Sequence, residues 1–124
     1  ELRGKVVLFD FWTYACGNCV RTLPALKRWH ERYAGRGLVL IGIHTPEFPF
    51  EREPDNVRAA VRRFAIPYPV ALDNRYATWD AWHNRSWPSL YLVDRDGKLL
   101  LRHEGEGGED AVERAIEAAL ASAG

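Results

Sequence analysis

The sequence has 124 residues, of which 47% are hydrophobic and 27% charged, the balance of one ordinary globular domain. Its 17 Lys plus Arg equal its 17 Asp plus Glu, so no basic excess points to nucleic acid or to an anionic membrane surface. No apolar run approaches the roughly 18 residues that a membrane span needs, and no signal peptide is visible. Because the chain starts at Glu1 and contains no Met, we expect a single domain over residues 1–124, processed or excised from a longer chain.

The first predicted element is a strand over Lys5–Trp12. Both of its faces are apolar, which is typical of a central strand covered on both sides. A helix is predicted from Cys16 or Gly17 to about Tyr33, since apolar residues recur there at spacings of three and four. Pro24 lies inside that helix and should kink it.

The region that follows contains a second strand and an insertion. Leu38–His44 predicts a buried strand, and residues 45–55, which contain three prolines, predict a loop. Asp55 or Asn56 is the expected cap of a helix over Val57–Phe64.

The remaining elements are short, apart from the last. Asp73 or Asn74 is expected to cap the helix among them, and a D-x-D-G sequence predicts the turn of a hairpin. In chain order they are a strand at Val70–Leu72, a helix at Arg75–Trp82, a strand at Ser89–Val93, a turn at Asp94–Gly97, a strand at Lys98–His103 and a helix at Glu109–Ala121. The order β-α-β-α-β-α-β-β-α predicts an α/β domain with parallel strands first and an antiparallel hairpin last.

Two cysteines, Cys16 and Cys19, lie at the junction of the first strand and the first helix. Residues i and i+3 of a helical turn lie about 5–6 Å apart, within the range that a disulfide closes. Free amides and the positive end of the helix dipole favour a thiolate at the first of them. We therefore expect Cys16 to be an exposed nucleophile and Cys19, one turn further in, to be the resolving thiol.

Two cysteines are too few for a disulfide-stapled mini-protein, and a zinc site needs four ligands. The four histidines are scattered along the chain, so we predict no metal and no cofactor besides a Cys16–Cys19 disulfide. His44 ends a strand near the sheet edge where ligands often bind, but a lone histidine there is more often structural.

The segment Asp10–Cys19, DFWTYACGNC, resembles the active-site stretch of thioredoxins and of TlpA/ResA-like extracytoplasmic thioredoxins. Pro24 matches the helix-kinking proline of that family, and Trp87-Pro88 matches the position of its cis-proline. The resemblance implies a thioredoxin fold, with a central mixed β-sheet flanked by helices and a helical insertion after the second strand.

Four longer stretches resemble the thioredoxin-like domain of DipZ-type proteins: FWTYACGNC, GIHTPEFPFE, YPVALDNRYATWDAW and WPSLYLVDRDGK. Those proteins join that domain to a CcdA/DsbD-like membrane electron carrier. NHL-repeat proteins with a thioredoxin-like domain are similar too, so the parent architecture stays open. The resemblance implies a monomeric thiol–disulfide oxidoreductase domain outside the cytoplasm. The resemblance also implies that the domain acts on protein disulfides and that a CcdA/DsbD-like membrane protein is its candidate electron donor.

Asp10 has the spacing of the buried aspartate that accepts a proton from the second cysteine in thioredoxins. Strand alternation places it with Val6 and Leu8, where burial should raise its pKa. We expect it to deprotonate Cys19 through water. The alternative is an aspartate at a strand end that reaches solvent.

Three further positions are expected to shape the site. The resemblance implies that Pro88 packs beside the disulfide and presents its backbone to an extended substrate. Trp87 replaces the small or β-branched residue common at that position, and either shields Cys16 or fills the core. Trp12 and Tyr14 flank the motif and are expected to line the docking surface, although Trp12 alternatively packs under the active-site helix.

Some features depart from the family pattern. Thr22 stands where TlpA/ResA-like proteins often carry a glutamate, so a role in cytochrome c biogenesis does not transfer directly. Asp10 and the DipZ-like context favour a reductant or electron relay. The main alternative is a peroxiredoxin-type thiol peroxidase, whose motif resembles Pro-x3-Thr-x2-Cys; Thr13 fits it, but Phe9 occupies the proline position. A redox-silent docking module is a third possibility.

Overall fold

The computed structural model describes residues 4–122. Within this range, five strands, numbered β1 to β5 in chain order, form one mixed sheet in the order β3-β2-β1-β4-β5. They are β1 Val6–Trp12, β2 Leu38–His44, β3 Val70–Leu72, β4 Ser89–Val93 and β5 Leu99–Glu104. The first three strands run parallel, β4 runs antiparallel to β1, and β5 runs antiparallel to β4. The thioredoxin-like fold that the sequence predicts, with its central mixed sheet, is therefore confirmed.

In the part of the chain that the structure describes, four α-helices and two 3-10 turns connect and cover this sheet. The helices are α1 Gly17–Tyr33, α2 Pro54–Arg63, α3 Ala77–Ala81 and α4 Glu109–Ala121, and the 3-10 turns are Ala34–Arg36 and Pro49–Arg52. The turn at Pro49–Arg52 and α2 together form the predicted helical insertion after the second strand. Within residues 4–122, none of the helices combines the length and apolar character required to cross a membrane.

Two apolar cores lie on opposite faces of the sheet, because successive side chains of a strand point to opposite sides. On one face Val6 and Leu8 of β1 pack against the buried stripes of α1 and α4. Cys19 lies in this core, where α1 covers the end of β1. On the other face Phe11 of β1 packs with Trp79 of α3.

The start of α2 corrects the sequence prediction. The helix begins at Pro54, with Glu53 as its N-cap, and not at Val57 after a cap at Asp55 or Asn56. A proline fits the first position of a helix because its fixed φ is already helical and its missing N–H would have no partner there. The predicted loop over residues 45–55 accordingly contains a 3-10 turn and the first residues of α2.

The third helix is shorter than the predicted Arg75–Trp82. It begins at Ala77 because Tyr76, at φ 63°, has a left-handed backbone that a helix cannot include. The N-cap residue is Tyr76 and not the expected Asp73 or Asn74, although the Asp73 carboxylate accepts the N–H groups of Thr78 and Trp79 over 2.9 and 3.0 Å. The loop before α3 is thereby fixed to its first turn.

Candidate active site

Cys16 and Cys19 meet at the N-terminus of α1. Cys16 is the N-cap residue, with an extended backbone, and its sulfur accepts the backbone N–H of Cys19 over 3.3 Å. Both are free thiols; Cys16 is partly exposed, whereas Cys19 is fully buried. A thiol at this position can attack a disulfide from solvent, and the second thiol lies one helical turn away, where it can attack the first.

The pKa of the Cys19 thiol is raised well above its ordinary value. Burial is the largest cause, followed by the hydrogen bond with Cys16 and by the negative charge of Asp10. Cys19 is therefore protonated at neutral pH, and any attack by its sulfur requires a group that takes this proton.

Asp10 is the carboxyl group whose charge acts on this thiol. It lies in the middle of the sheet, opposite Gly42 of β2 and Leu90 of β4, and is 1% exposed. Neither carboxylate oxygen has a hydrogen-bond partner within residues 4–122. Burial raises its pKa to about 8, so the carboxyl exchanges its proton near neutral pH. The alternative of an aspartate that reaches solvent is wrong, because the side chain is enclosed by the core.

The Trp87–Pro88 peptide bond is cis, as the sequence predicts. Pro88 is buried, and Trp87 is half-buried and packs against both cores. The indole N–H of Trp87 donates to the carbonyl of Thr45 over 2.8 Å, and its ring lies 4.3 Å from that of Trp79. Trp87 is compatible with both interpretations, shielding of Cys16 and filling of the core, because part of its ring is buried and part stays accessible.

Trp12 and Tyr14 occupy different environments. Trp12 is 1% exposed and lies so close to β2 that a Cβ on Gly42 would meet its indole nitrogen at 3.0 Å. It packs beneath the active-site helix, and the expectation that it lines the docking surface is wrong. Tyr14 is half-exposed, and its hydroxyl donates to the carbonyl of Phe50 over 3.2 Å.

His44 holds the segment that leads to the cysteines. It is fully buried, and its Nε2 lies 3.3 Å from the hydroxyl of Thr13 and accepts the N–H of Tyr14 over 3.4 Å. Its ring stacks on that of Tyr14 and meets that of Trp12 edge-on. Burial lowers its pKa to about 4, so the imidazole is neutral at physiological pH. This geometry fits the structural interpretation of His44.

Glu51 is a part of this site that the sequence analysis does not identify. It is fully buried, and one of its oxygens accepts the N–H of Ala15, the residue before the candidate nucleophile, over 3.0 Å. The other oxygen accepts the N–H groups of Glu47 and Phe48 over 2.8 and 3.0 Å. Burial alone would raise its pKa, but hydrogen bonds from the Thr13 hydroxyl and these backbone groups outweigh it, and the pKa is lowered. Glu51 is therefore a buried carboxylate in its ionised form.

One local signal in the sequence could have identified Glu51. It stands three residues after Phe48, at the third position of a turn that begins with Pro49, which is where a glutamate caps the first backbone N–H. That pattern predicts the contact with Phe48. The contact with Ala15 spans 36 residues and depends on how the insertion folds back.

No group of three or more His, Cys, Asp or Glu within the described range is arranged to hold a metal ion. The groups that come together around Cys16 are two thiols, two buried carboxyl groups and one neutral imidazole. This set can carry out thiol–disulfide exchange with an internal proton acceptor.

Sequence comparison gives relatives along nearly the whole chain. A family model described as the AhpC/TSA family matches residues 1–102. The chain is 46% identical over 120 residues to protein DipZ of Mycobacterium tuberculosis. The alignment covers 97% of this chain and 17% of DipZ. It is 25% identical over 117 residues to the thiol-disulfide oxidoreductase YkuV of Bacillus subtilis, covering 94% of this chain and 78% of YkuV. The chain thus spans about one sixth of the length of DipZ.

Solved structures agree with these relatives. A thiol-disulfide isomerase from Corynebacterium glutamicum superposes with a TM-score of 0.90 at 25% sequence identity. The superposition covers 98% of this chain and 84% of the isomerase. The similarity therefore extends over the whole fold, including the strand-to-helix junction that carries the two cysteines.

Proposed function

The chain belongs to the AhpC/TSA family and has a thioredoxin-like fold, and from this premise we propose that it is a thiol–disulfide oxidoreductase that reduces protein disulfides through Cys16 and Cys19. The observation that carries the proposal is the hydrogen bond from the Cys19 N–H to the sulfur of Cys16 at the start of α1. A thiolate in that position is stabilised by backbone amides and by the helix dipole. The Cys16–Cys19 disulfide is the redox group of this proposal, and no further cofactor takes part.

The proposed reaction has two exchange steps. The thiolate of Cys16 attacks one sulfur of a substrate disulfide, the substrate S–S bond breaks, and one substrate thiolate leaves and takes up a proton. Asp10 then takes the proton of Cys19 through water, and the Cys19 sulfur attacks Cys16. The mixed disulfide breaks, the second substrate thiol leaves, and the protein is oxidised by two electrons to a Cys16–Cys19 disulfide. A dithiol donor then attacks the Cys16–Cys19 disulfide and releases Cys19, and its second thiol displaces Cys16, so the donor is oxidised to a disulfide and the protein returns to the dithiol.

The surface around Cys16 suggests how a substrate is held. We propose that Pro88 and Trp87 flank the motif on one side and Tyr14 on the other, and that an extended segment of the substrate passes between them. Part of the Trp87 ring is accessible while its N–H is fixed to Thr45, so the indole restricts the approach to Cys16.

The direction of electron flow is proposed from context. The similarity to DipZ supports a reductant or electron relay that faces outward from the cytoplasm, with a membrane electron carrier as its donor and protein disulfides as its substrates. A buried proton acceptor under the resolving thiol suits a reductant, because it drives the step that releases the reduced substrate.

A thiol peroxidase is the second candidate, because the matching family model is described as AhpC/TSA. The geometry favours it less. Phe9 occupies the position of the motif proline, and the hydroxyl of Thr13 lies 3.3 Å from His44, in a fully buried position. That hydroxyl already interacts with two buried side chains, those of His44 and Glu51.

Two measurements test the proposed function. Insulin reduction by the dithiothreitol-supported protein, run beside peroxide consumption, should show turnover of insulin and little turnover of peroxide. The Cys16→Ser variant should lose the insulin activity, and activity retained by that variant would exclude the proposal. The redox potential of the pair should lie near −270 mV, at the reducing end of the thioredoxin-fold range, and a value near −120 mV would overturn the assignment as a reductant.

A further inference from the structure

The segment between β2 and α2 folds over the active site and exposes two aromatic rings. Phe48 and Phe50 are 45% and 55% exposed. Their rings are stacked, with centroids 5.7 Å apart and an angle of 7° between the ring planes. We call this pair of rings the aromatic ledge. Large apolar side chains left exposed beside a reactive group are a common feature of surfaces that bind other proteins.

Several hydrogen bonds tie the ledge segment to its surroundings. The hydroxyl of Tyr14 and the side-chain amide of Asn56 both donate to the carbonyl of Phe50, over 3.2 and 3.1 Å. The indole N–H of Trp87 donates to the carbonyl of Thr45 at the start of the segment. The ledge is therefore held in place relative to the residues that precede and face Cys16.

Glu51 makes the central connection. Its two oxygens have different partners, since one accepts the N–H of Ala15 and the other accepts the N–H groups of Glu47 and Phe48. A single ionised side chain thus bonds both the backbone beside the nucleophile and the backbone that carries the ledge. Hydrogen bonds to an ionised carboxylate are stronger than those between neutral groups, and they also restrict the relative positions of the groups they join.

We propose that Glu51 is a positioning residue, which holds the aromatic ledge at a fixed distance from Cys16 so that an apolar side chain beside a substrate disulfide binds there during attack. The inference rests on the proposed function, because it assigns a recognition surface to the same thiol. It concerns protein substrates in particular, since a small disulfide can reach Cys16 without touching Phe48 or Phe50.

The chemistry of a glutamine at this position makes a sharp test. In Glu51→Gln one oxygen becomes an NH2 group, which is a donor and cannot accept an N–H. Either the bond to Ala15 or the bonds to Glu47 and Phe48 must therefore be lost. Glu51→Asp keeps the charge but is one methylene shorter, so it cannot bridge both sides either. Glu47→Gln is the matched control, because it removes one negative charge from an exposed side chain four residues away.

The experiment compares two substrates, insulin and the small disulfide DTNB. We expect Glu51→Gln and Glu51→Asp to lower kcat/KM for insulin about tenfold, mainly through KM, and to change the DTNB rate by less than about threefold. Glu47→Gln should leave both rates unchanged. A normal rate for Glu51→Asp would show that charge alone matters, and equal losses on both substrates would show a general structural role; either result overturns the inference.

A double variant tests whether Glu51 acts through the ledge. Phe50→Ala, made on an exposed ring, should also raise KM for insulin, and combining it with Glu51→Gln should give no larger loss than the greater single effect. Losses that multiply would overturn the inference. If Glu51→Gln does not fold, hydrogen exchange at the Ala15 amide of the unaltered protein replaces it; exchange as fast as that of a free amide would overturn the inference. Failure of the unaltered protein to reduce either substrate would instead reject the proposed function.

Discussion

Cys19, on the buried face of the active-site helix α1, and Asp10 of β1 are both closed off from solvent, and the charge of Asp10 acts on the Cys19 thiol. Burial raises the pKa of each group, and the charge of Asp10 adds to the shift of Cys19. A proton on either side chain is therefore easier to keep than to lose. In the proposed mechanism the ionised form of Asp10 accepts the proton of Cys19 when Cys19 attacks, which would link the burial of the thiol to its chemistry.

The first prediction concerns this proton transfer. Asp10→Asn should slow the resolution of the Cys16 mixed disulfide by Cys19 at least tenfold, since a positioned proton acceptor commonly contributes about 100-fold or more. Stopped-flow decay of a mixed disulfide with an aromatic thiol measures the step. The initial attack by Cys16 serves as the internal control and should stay within about twofold. If Asp10→Asn resolves the mixed disulfide as fast as the unaltered protein across pH 6–9, the role of Asp10 is excluded.

The same substitution should stabilise the protein in a pH-dependent way. The folded state raises the pKa of Asp10 from 3.8 to about 8, so its stabilising contribution is complete below pH 3.8 and is lost as pH rises towards 8. Asp10→Asn removes that loss, and we expect a gain of up to about 4 kcal/mol in the free energy of unfolding at pH 7. At pH 3.5 the gain should vanish. Urea unfolding of both proteins measures this gain. The control is Asp96→Asn, at an exposed position: its difference in free energy of unfolding from the unaltered protein should not change with pH in this way.

Sequence patterns were sufficient where a local rule decides the structure. The apolar runs Leu38–His44 and Ser89–Val93 and the amphipathic Glu109–Ala121 have the predicted bounds. The predicted helix bounds were wrong at two places. Helix α2 begins at Pro54, although prolines usually break a helix, and the left-handed backbone of Tyr76 shortens α3. Both deviations depend on how neighbouring elements meet, which periodicity along the chain does not contain.

The candidate site shows the same division. The C-x-x-C spacing, the position of Asp10 and the cis bond before Pro88 could be read from short stretches of sequence. The connection from Glu51 to Ala15 could not, because it joins residues 36 positions apart through a folded insertion. Burial also decided between alternatives for Trp12, where the sequence alone left a surface role and a core role open.

Trp87 gives the third prediction. Trp87→Thr introduces a β-branched residue of the kind common at this position in thioredoxins, and it removes the indole that restricts the approach to Cys16. Alkylation of Cys16 by iodoacetamide should become about two- to fivefold faster. The loss of the ring contact with Trp79 and of the hydrogen bond to Thr45 should lower the free energy of unfolding by about 1–3 kcal/mol.

Trp87→Phe separates the two effects of that substitution. A phenyl ring keeps most of the cover but has no N–H to donate to Thr45, so stability should fall by about 1 kcal/mol. The alkylation rate should remain close to that of the unaltered protein. If both variants react at the unaltered rate, the indole does not shield Cys16.

The last prediction concerns acid stability and His44. Burial lowers the pKa of this histidine from 6.5 to about 4, so the neutral ring stabilises the fold fully above pH 6.5 and that contribution is lost as pH falls towards 4. We expect the free energy of unfolding to drop by up to about 3 kcal/mol between pH 7 and pH 4 from this group. His44→Gln should be less stable at pH 7, because packing against Trp12 and Tyr14 is lost, but its stability should fall less on acidification. His83→Asn, at an exposed position, should retain the full pH dependence, and equal slopes for the two variants would show that another group causes it.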